Sequence, residues 1–190
     1  MSARLVIIAA VDDTMGVGKD GGIPWHLPED LKRFRSLTHG GVVCYGYKTW
    51  RSLPISKFGS MAPARMLPYR HNILITDRPV HDLRDFDPNG SVLCSVKQAL
   101  DLTEQAGIGP LYVVGGHDVW MEALDLAVGG VPTLLCLTRV KGKFQCDTFF
   151  PPLFDSSQKT QWTQLLDRMD YPEGPNAEYL GTRFQIYSNF

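Results

Sequence analysis

No apolar run in these 190 residues approaches the roughly 18 that a membrane-spanning helix requires. Charge of one sign is missing too. There are 19 basic residues against 20 acidic ones, a net charge of −1, so nothing recommends nucleic acid or an anionic membrane surface as a partner. Cysteine is scarce. Cys44, Cys94, Cys136 and Cys146 lie far apart, with no C-x-x-C pair and no histidine at ligand spacing, so no metal site is expected. Cys44, Cys94 and Cys136 fall inside apolar, strand-like runs and are expected as small core hydrophobes. That is the state of thiols in a reducing compartment, and the cytoplasm is the expected location. The first eight residues hold one basic side chain and no cleavage pattern, and read as a first strand rather than a signal. No repeat or composition shift marks a second domain, so residues 1–190 are expected to form one domain.

What is present is ordinary globular material, 44% hydrophobic and 21% charged. Apolar runs at 5–11, 41–45, 71–76, 91–94 and 111–114 read as buried strands. Helical patterns come between several of them, at 47–50, 96–106 and 117–126. Ser95 is suited to cap the second of these helices and Gly107 to end it. Alternation of this kind predicts an α/β fold with a central, mostly parallel sheet of about eight strands and flanking helices. From 133 onward the pattern changes. Residues 133–140, 161–167 and 179–187 look like strands without intervening helices, as an antiparallel C-terminal edge would. The stretches 54–68 and 171–176 read as long loops.

One acid is out of place. Pro28 suits the first position of a short amphipathic helix, where its missing N–H is not needed. Asp30, Leu31, Phe34 and Leu37 then recur at spacings of three and four and share a face, with Lys32, Arg33 and Arg35 assigned to the other. A carboxylate on an apolar face either serves the helix dipole or faces a ligand. The segment Gly16-Val17-Gly18-Lys19-Asp20-Gly21 matches G-x-G-x-x-G literally. Yet Gly22 and Pro24 follow where a dinucleotide fingerprint must open into a helix, so it reads instead as a mobile flap beside a pocket. Two strand–glycine–helix junctions, Gly46-Tyr47-Lys48-Thr49 and Gly115-Gly116 before Asp118, are suited to cradle phosphates. A pair of such cradles fits one pyrophosphate.

In order and spacing, these motifs resemble dihydrofolate reductase over most of the chain. The resemblance rests on Ile8-Ala9-Ala10, on Gly18 through Trp25, and on Leu27-Pro28-Glu29-Asp30-Leu31 with Phe34 and Thr38. It continues with Gly46-Tyr47-Lys48-Thr49-Trp50, Leu67-Pro68-Tyr69-Arg70-His71-Asn72 and Val114-Gly115-Gly116. It closes with Leu137-Thr138-Arg139 and Asp147-Thr148-Phe149-Phe150-Pro151. The resemblance implies reduction of 7,8-dihydrofolate to 5,6,7,8-tetrahydrofolate with NADPH, by hydride transfer to pterin C6 and protonation at N5. It also implies a monomer whose substrate pocket binds antifolates.

By that resemblance the catalytic set is Asp30, Trp25, Ile23 and Thr138, with Asp30 and Thr138 accepting the pterin's amino edge. Ile8, Ala10, Leu31, Phe34 and Val114 pack the substrate, and Arg70 clamps its glutamate carboxylate. The cofactor is expected against Ala10, Val17, Gly18 and Ile23 on one side and Gly46, Tyr47, Lys48 and Thr49 on another. It is also expected against Ile75, Thr76, Asp77 and Arg78, then Gly115, Gly116, His117, Asp118, Val119 and Trp120, and finally Thr148. Tyr47 stands where a basic residue commonly serves the 2′-phosphate. Asp77 and Asp118 add negative charge, and Trp120 replaces a usual tyrosine. A narrower preference for NADPH over NADH is therefore expected. Two rival readings are a reductase of another pyrimidine-like ring on the same fold and a binder that has lost catalysis. Arg70 with Phe34 speaks against the first, and the intact Asp30, Thr138, Trp25 and Gly115-Gly116 set against the second.

Overall fold

The computed structural model describes residues 2–56, 64–152, 162–171 and 181–190. The chain begins with β1 (Leu5–Val11), β2 (Gly16–Gly18), α1 (Pro28–Thr38), β3 (Val42–Gly46), α2 (Tyr47–Ser52), β4 (Ile55–Ser56) and β5 (Ala64–Arg65). It continues through β6 (His71–Ile75), β7 (Ser91–Leu93), α3 (Val96–Gln105), β8 (Leu111–Val113) and α4 (His117–Val128). The last elements are β9 (Thr133–Val140), β10 (Thr148–Phe149), β11 (Thr163–Tyr171) and β12 (Thr182–Ser188).

Eight strands form one sheet in the order β11-β12-β9-β1-β8-β3-β6-β7. All neighbours run parallel except β12, which pairs antiparallel with β9 and with β11. The apolar runs at 5–11, 41–45, 71–76 and 111–114 supply the buried parallel part, because a strand covered on both faces can be hydrophobic throughout. β7, also expected as buried, lies instead at the sheet edge with Val92 exposed. One face packs on α3 and α4. Leu5, Ile7, Ala9 and Val11 of β1 meet Ala99 and Leu100 of α3 and Ala123 and Leu124 of α4 there. The other face is covered in two patches. Trp50 of α2 lies over Val43, Tyr45 and Leu74, and Leu37 of α1 packs by Val6, Cys136 and Phe184.

Several elements differ from expectation. The last two late strands are β11, which runs on four residues past its expected end to Tyr171, and β12; the expected starts at 161 and 179 lie outside the described residues. Helix α4 extends two residues further than its pattern, to Val128. Within the 54–68 loop, β4 and β5 pair as a short antiparallel ladder; residues 57–63 lie outside the described residues, as do 172–176 of the other long loop. No helix joins β6 to β7; a 3-10 turn at Val80–Asp82 lies there instead. Cys44 and Cys136 are buried, but Cys94 is exposed, because it follows the end of edge strand β7 and precedes the cap of α3. Ser95 does cap α3, its side chain accepting from the Gln98 amide.

Parallel pairing sends the carboxyl ends of β1, β3 and β8 to a common edge. β8 lies between β1 and β3, and the chain then crosses through α4 to β9 on the far side of β1. Ligands in open α/β sheets bind beyond such a reversal of strand order. No helix among the described residues is long and apolar enough to cross a membrane.

Candidate functional site

The site assembles from three groups of residues at that edge. The first is carried by α1. Its start at Pro28 puts Asp30 in the first turn, and the helix lays Asp30 against β9, where Thr138 Oγ1 donates to Asp30 Oδ1 at 2.5 Å. Register sets this contact. Ala10 of β1 pairs with Thr138, which pairs in turn with Phe184 of β12, so the three form a row across the sheet. A slip of one residue would turn the hydroxyl to the opposite face. Ile8 and Ala10 are the partly exposed residues of an otherwise buried β1, and Val114 just beyond β8 is likewise half-buried.

At the other end of α1, Arg70 is immobilised. Its Nε donates to Thr38 Oγ1 at 2.8 Å and its Nη2 to the Arg35 carbonyl at 3.0 Å, while Nη1 meets the Pro68 carbonyl. Its guanidinium carbon is 5.7 Å from the Phe34 ring centre. Burial, with the Arg35 cation adding to it, lowers the Arg70 pKa from its ordinary value. The turn that delivers Arg70 is pinned by Asn72, which donates to the Leu67 and Arg70 carbonyls and to Asp87, and accepts from Tyr45. Leu31 is 38% exposed and Ile23 64% exposed, so neither is buried by the protein itself.

The second group is the pair of glycine junctions, which the sheet brings together: Gly46 N–H donates to the Gly115 carbonyl at 2.7 Å. A Cβ on Gly115 would stand 2.9 Å from the Trp120 ring, one on Gly46 3.1 Å from Val119, and one on Gly116 3.2 Å from Thr49 Oγ1. The Gly115–Gly116 peptide is cis. No side chain caps the start of α2 or of α4. Val119 and Trp120 are buried beneath the cradle, Trp120 against Phe150 with ring centres 5.0 Å apart. The Trp120 indole N–H has no hydrogen-bond partner among the described residues. Ile75 ends β6 buried, with Thr76 half-buried and Asp77 and Arg78 exposed beyond it. Arg78 lies over the Tyr47 ring, 4.1 Å from its centre, and Lys48 is exposed beside it. Asp118 is exposed in the first turn of α4, and His117 Nδ1 lies 2.8 Å from the Phe149 carbonyl.

The third group is the flap. Gly16–Gly18 forms strand β2 on β10, Thr148 pairing with Gly18. Lys19 and Gly22 exchange both backbone hydrogen bonds around Asp20 and Gly21, whose φ values of 51° and 77° are those of a type I′ turn. Two acids not expected at the site, Asp12 and Asp147, hold this segment. Asp12 is 1% exposed; its Oδ1 accepts from the Thr14 and Gly16 amides and the Thr14 hydroxyl, and its Oδ2 from the Phe144 amide. Burial alone would raise its pKa, but those donors outweigh burial and hold it below the ordinary carboxylate value. Asp147 accepts the Asp20 amide at 2.8 Å, and this bond leads the causes of its lowered pKa. Trp25 packs edge-on against Phe144, ring centres 5.1 Å apart. An Asp-x-Thr sequence at the end of a buried strand is the local signal that could have singled out Asp12.

Arg33 departs from the outer face expected for it. Its side chain is 17% exposed and turned toward the sheet, not outward with Lys32 and Arg35. The spacing rule used for Asp30 and Leu37 applies equally to Arg33, three residues after one and four before the other.

The family model described as dihydrofolate reductase matches residues 4–187. A dihydrofolate reductase, HdrB, of Haloferax volcanii is 37% identical over 150 residues, which are 79% of this chain and 72% of that protein. The dihydrofolate reductase of Bacillus subtilis is 30% identical over 152 residues, 80% of this chain and 78% of its own length. A bifunctional dihydrofolate reductase-thymidylate synthase of Zea mays is 34% identical over 160 residues, 78% of this chain, but the match spans only 28% of that longer protein.

Proposed function

This chain belongs to the dihydrofolate reductase family, and from that premise we propose that Asp30 is the acid around which it reduces 7,8-dihydrofolate to 5,6,7,8-tetrahydrofolate with NADPH. The observation that carries this reading is the Asp30 carboxylate, held by Thr138 at 2.5 Å beside the partly open face of β1. A carboxylate there can accept paired N–H bonds from the 2-amino group and N3 of the pterin, a charge-assisted contact. Thr138 fixes the orientation of the acid and bridges to the same amino group. The negative charge favours the protonated pterin, and water admitted past residues 16–25 brings the proton to N5. Ile8, Ala10, Val114 and Phe34 pack the rings. Arg70, with Thr38 and Arg35 holding its fork, takes the glutamate carboxylate. Leu31 and Ile23 supply exposed apolar surface that substrate and cofactor would cover.

The residues at the carboxyl edge fit a dinucleotide. A Cβ on Gly115 would collide with Trp120, and one on Gly46 or Gly116 would crowd Val119 or Thr49, while two helix starts without side-chain caps turn N–H groups to the same edge. Gly46, Thr49, Gly115, Gly116, His117 and Asp118 would hold the diphosphate; Tyr47, Lys48, Thr76, Asp77 and Arg78 would surround the adenosine phosphate. Val17, Gly18 and Thr148 would close the flap side, with Ile75, Val119 and Trp120 supporting from beneath. NADPH, when bound, supplies the hydride for pterin C6. We further propose a single domain acting as a monomer in the cytoplasm, whose pocket takes antifolates that present the same amino edge.

The test is oxidation of NADPH on addition of dihydrofolate, measured for the wild type and for Asp30→Asn. Turnover in the wild type and its loss in the variant are expected. A variant with wild-type turnover at pH 7 removes Asp30 from the mechanism.

A further inference from the structure

Arg33 closes a triangle with the two residues that define the substrate end. One guanidinium nitrogen lies 3.5 Å from Asp30 Oδ1 and 3.3 Å from Thr138 Oγ1, to which it donates. A hydroxyl has one proton and spare lone pairs, so Thr138 can give its proton to Asp30 and accept from Arg33 at once. The guanidinium carbon also sits 4.2 Å from the centre of the Phe184 ring, the next residue in the row that contains Ala10 and Thr138. Carboxylate, hydroxyl and aromatic face together make this a built seat for a cation.

We propose that Arg33 sets the pH range of the reaction, compensating the Asp30 carboxylate and so opposing the arrival of a proton in the substrate site. The proposal rests on the reading of Asp30 given above. A proton that enters the site adds positive charge whether it resides on the carboxylate or on the pterin, and a cation within about 4–6 Å disfavours it in either place. Turnover needs that proton, so Arg33 moves the alkaline limit of activity downward.

Among the described residues, the other charged or titratable groups around the triangle are these. Glu29 and Lys32 of α1 are paired with each other at 2.5 Å on the outer side, where with Arg168 of β11 they line an open groove behind Arg33. Cys136 of β9 has its thiol pushed up to about 11 by burial, against the charge of Arg33, and is uncharged at neutral pH. Burial raises the Tyr112 hydroxyl of β8 above its ordinary value in the same way. β1 offers only Val6, Ile8 and Ala10 on this face. Arg33 acts by its charge on Asp30 and on the site beside it, without touching the reacting atoms, and is a positioning residue.

The experiment is the single-turnover rate of hydride transfer from pH 5 to 9 for wild type, Arg33→Gln, Arg33→Met and Arg33→Lys. In parallel, the Asp30 carboxyl carbon is titrated by NMR in the free protein. Both neutral variants should move the alkaline midpoint of the rate up by about one pH unit, the lower end of what an adjacent arginine does to an aspartate. The carboxyl titration should move the same way, and Arg33→Lys should recover most of the shift. Methionine keeps the apolar stem over Phe184 should glutamine not fold. Profiles of the neutral variants superimposable on the wild type, with turnover still lost in Asp30→Asn, overturn the proposal alone. Lysine behaving like methionine overturns it too, because charge is then not the cause. Wild-type turnover in Asp30→Asn overturns the reading beneath it.

Discussion

The two ends of the carboxyl edge are built by different means. At the α1 end, side chains hold side chains: Thr138 on Asp30, Arg33 on both, Thr38 and two carbonyls on Arg70. At the glycine end the backbone does the work, through the Gly46–Gly115 hydrogen bond and two helix starts, while Lys48, Asp77, Arg78 and His117 stay exposed around it. The difference suits the two ligands assigned to these ends in the function proposed above. A heterocycle with a fixed pattern of donors must meet acceptors already oriented, and each such group left unpaired on burial costs about 1–3 kcal/mol. A diphosphate is satisfied by amides and positive potential, so the close approach of glycine backbone matters more than any one side chain.

Substitutions at the two ends should therefore differ in kind as well as size. The largest effect is expected for Asp30→Asn, with hydride transfer at pH 7 down by about a hundredfold or more, the scale of a lost proton-directing group. The deficit should narrow as pH falls and the substrate is protonated without help. A constant deficit from pH 5 to 9 would show that Asp30 binds without influencing the proton.

Arg70→Leu comes next and should act on KM. On the function proposed above, its contact with the remote carboxylate would be alike in ground and transition states, so kcat should change little. Losing a charged hydrogen-bond partner of about 1.5–3 kcal/mol corresponds to a KM for dihydrofolate raised roughly tenfold to a hundredfold. An unchanged KM would dissociate Arg70 from the substrate end.

Asp12 tests whether the flap is a third, independent region. Asp12→Ala orphans three amides and a hydroxyl, and should lower stability by about 2–3 kcal/mol in denaturant titration. Because the folded protein holds the Asp12 pKa below its unfolded value, its contribution is full above the ordinary carboxylate range. It disappears as pH falls through the depressed folded value. Wild type should thus lose stability below about pH 4, and the variant should lose less over the same interval. Equal acid sensitivity in the two would assign the loss to other carboxylates.

The smallest effect belongs to the exposed glycine end. Tyr47→Arg should raise kcat/KM for NADPH about two- to fivefold and leave NADH nearly unchanged, since an exposed pair contributes only 0.2–1 kcal/mol or so. The wild-type preference is expected to be modest, carried by Lys48 and by Arg78 stacked on Tyr47, and to weaken with salt. Equal gains for both cofactors would show that position 47 does not face the 2′-phosphate.

Much of this was legible in order and spacing. Strands buried on both faces announce themselves as unbroken apolar runs, so β1, β3, β6, β8 and β9 were recognisable, as was the change to an antiparallel edge. Asp30 stood out because a carboxylate on an apolar helix face needs a reason. A helical wheel does not by itself distinguish a solvent face from one that meets another strand. Arg33 was grouped with Lys32 and Arg35, since charge normally marks the solvent side. Its burial depends on Phe184 and Thr138, residues more than a hundred positions away, and no local pattern encodes them. Cys94 erred the other way: an apolar neighbourhood does not reveal that its strand lies at the sheet edge.

Periodicity, capping and motif order are properties of neighbours along the chain, so the elements and the family could be read from the sequence and Asp30 singled out there as a candidate. Tertiary structure alone decided that Ala10, Thr138 and Phe184 share a row, that Gly46 meets Gly115, and that Arg33 turns inward to Asp30. Those contacts are fixed by sheet register and crossover connections. Both join segments distant in sequence, whose pairing is chosen by the burial of the whole core rather than by any residue's own preference.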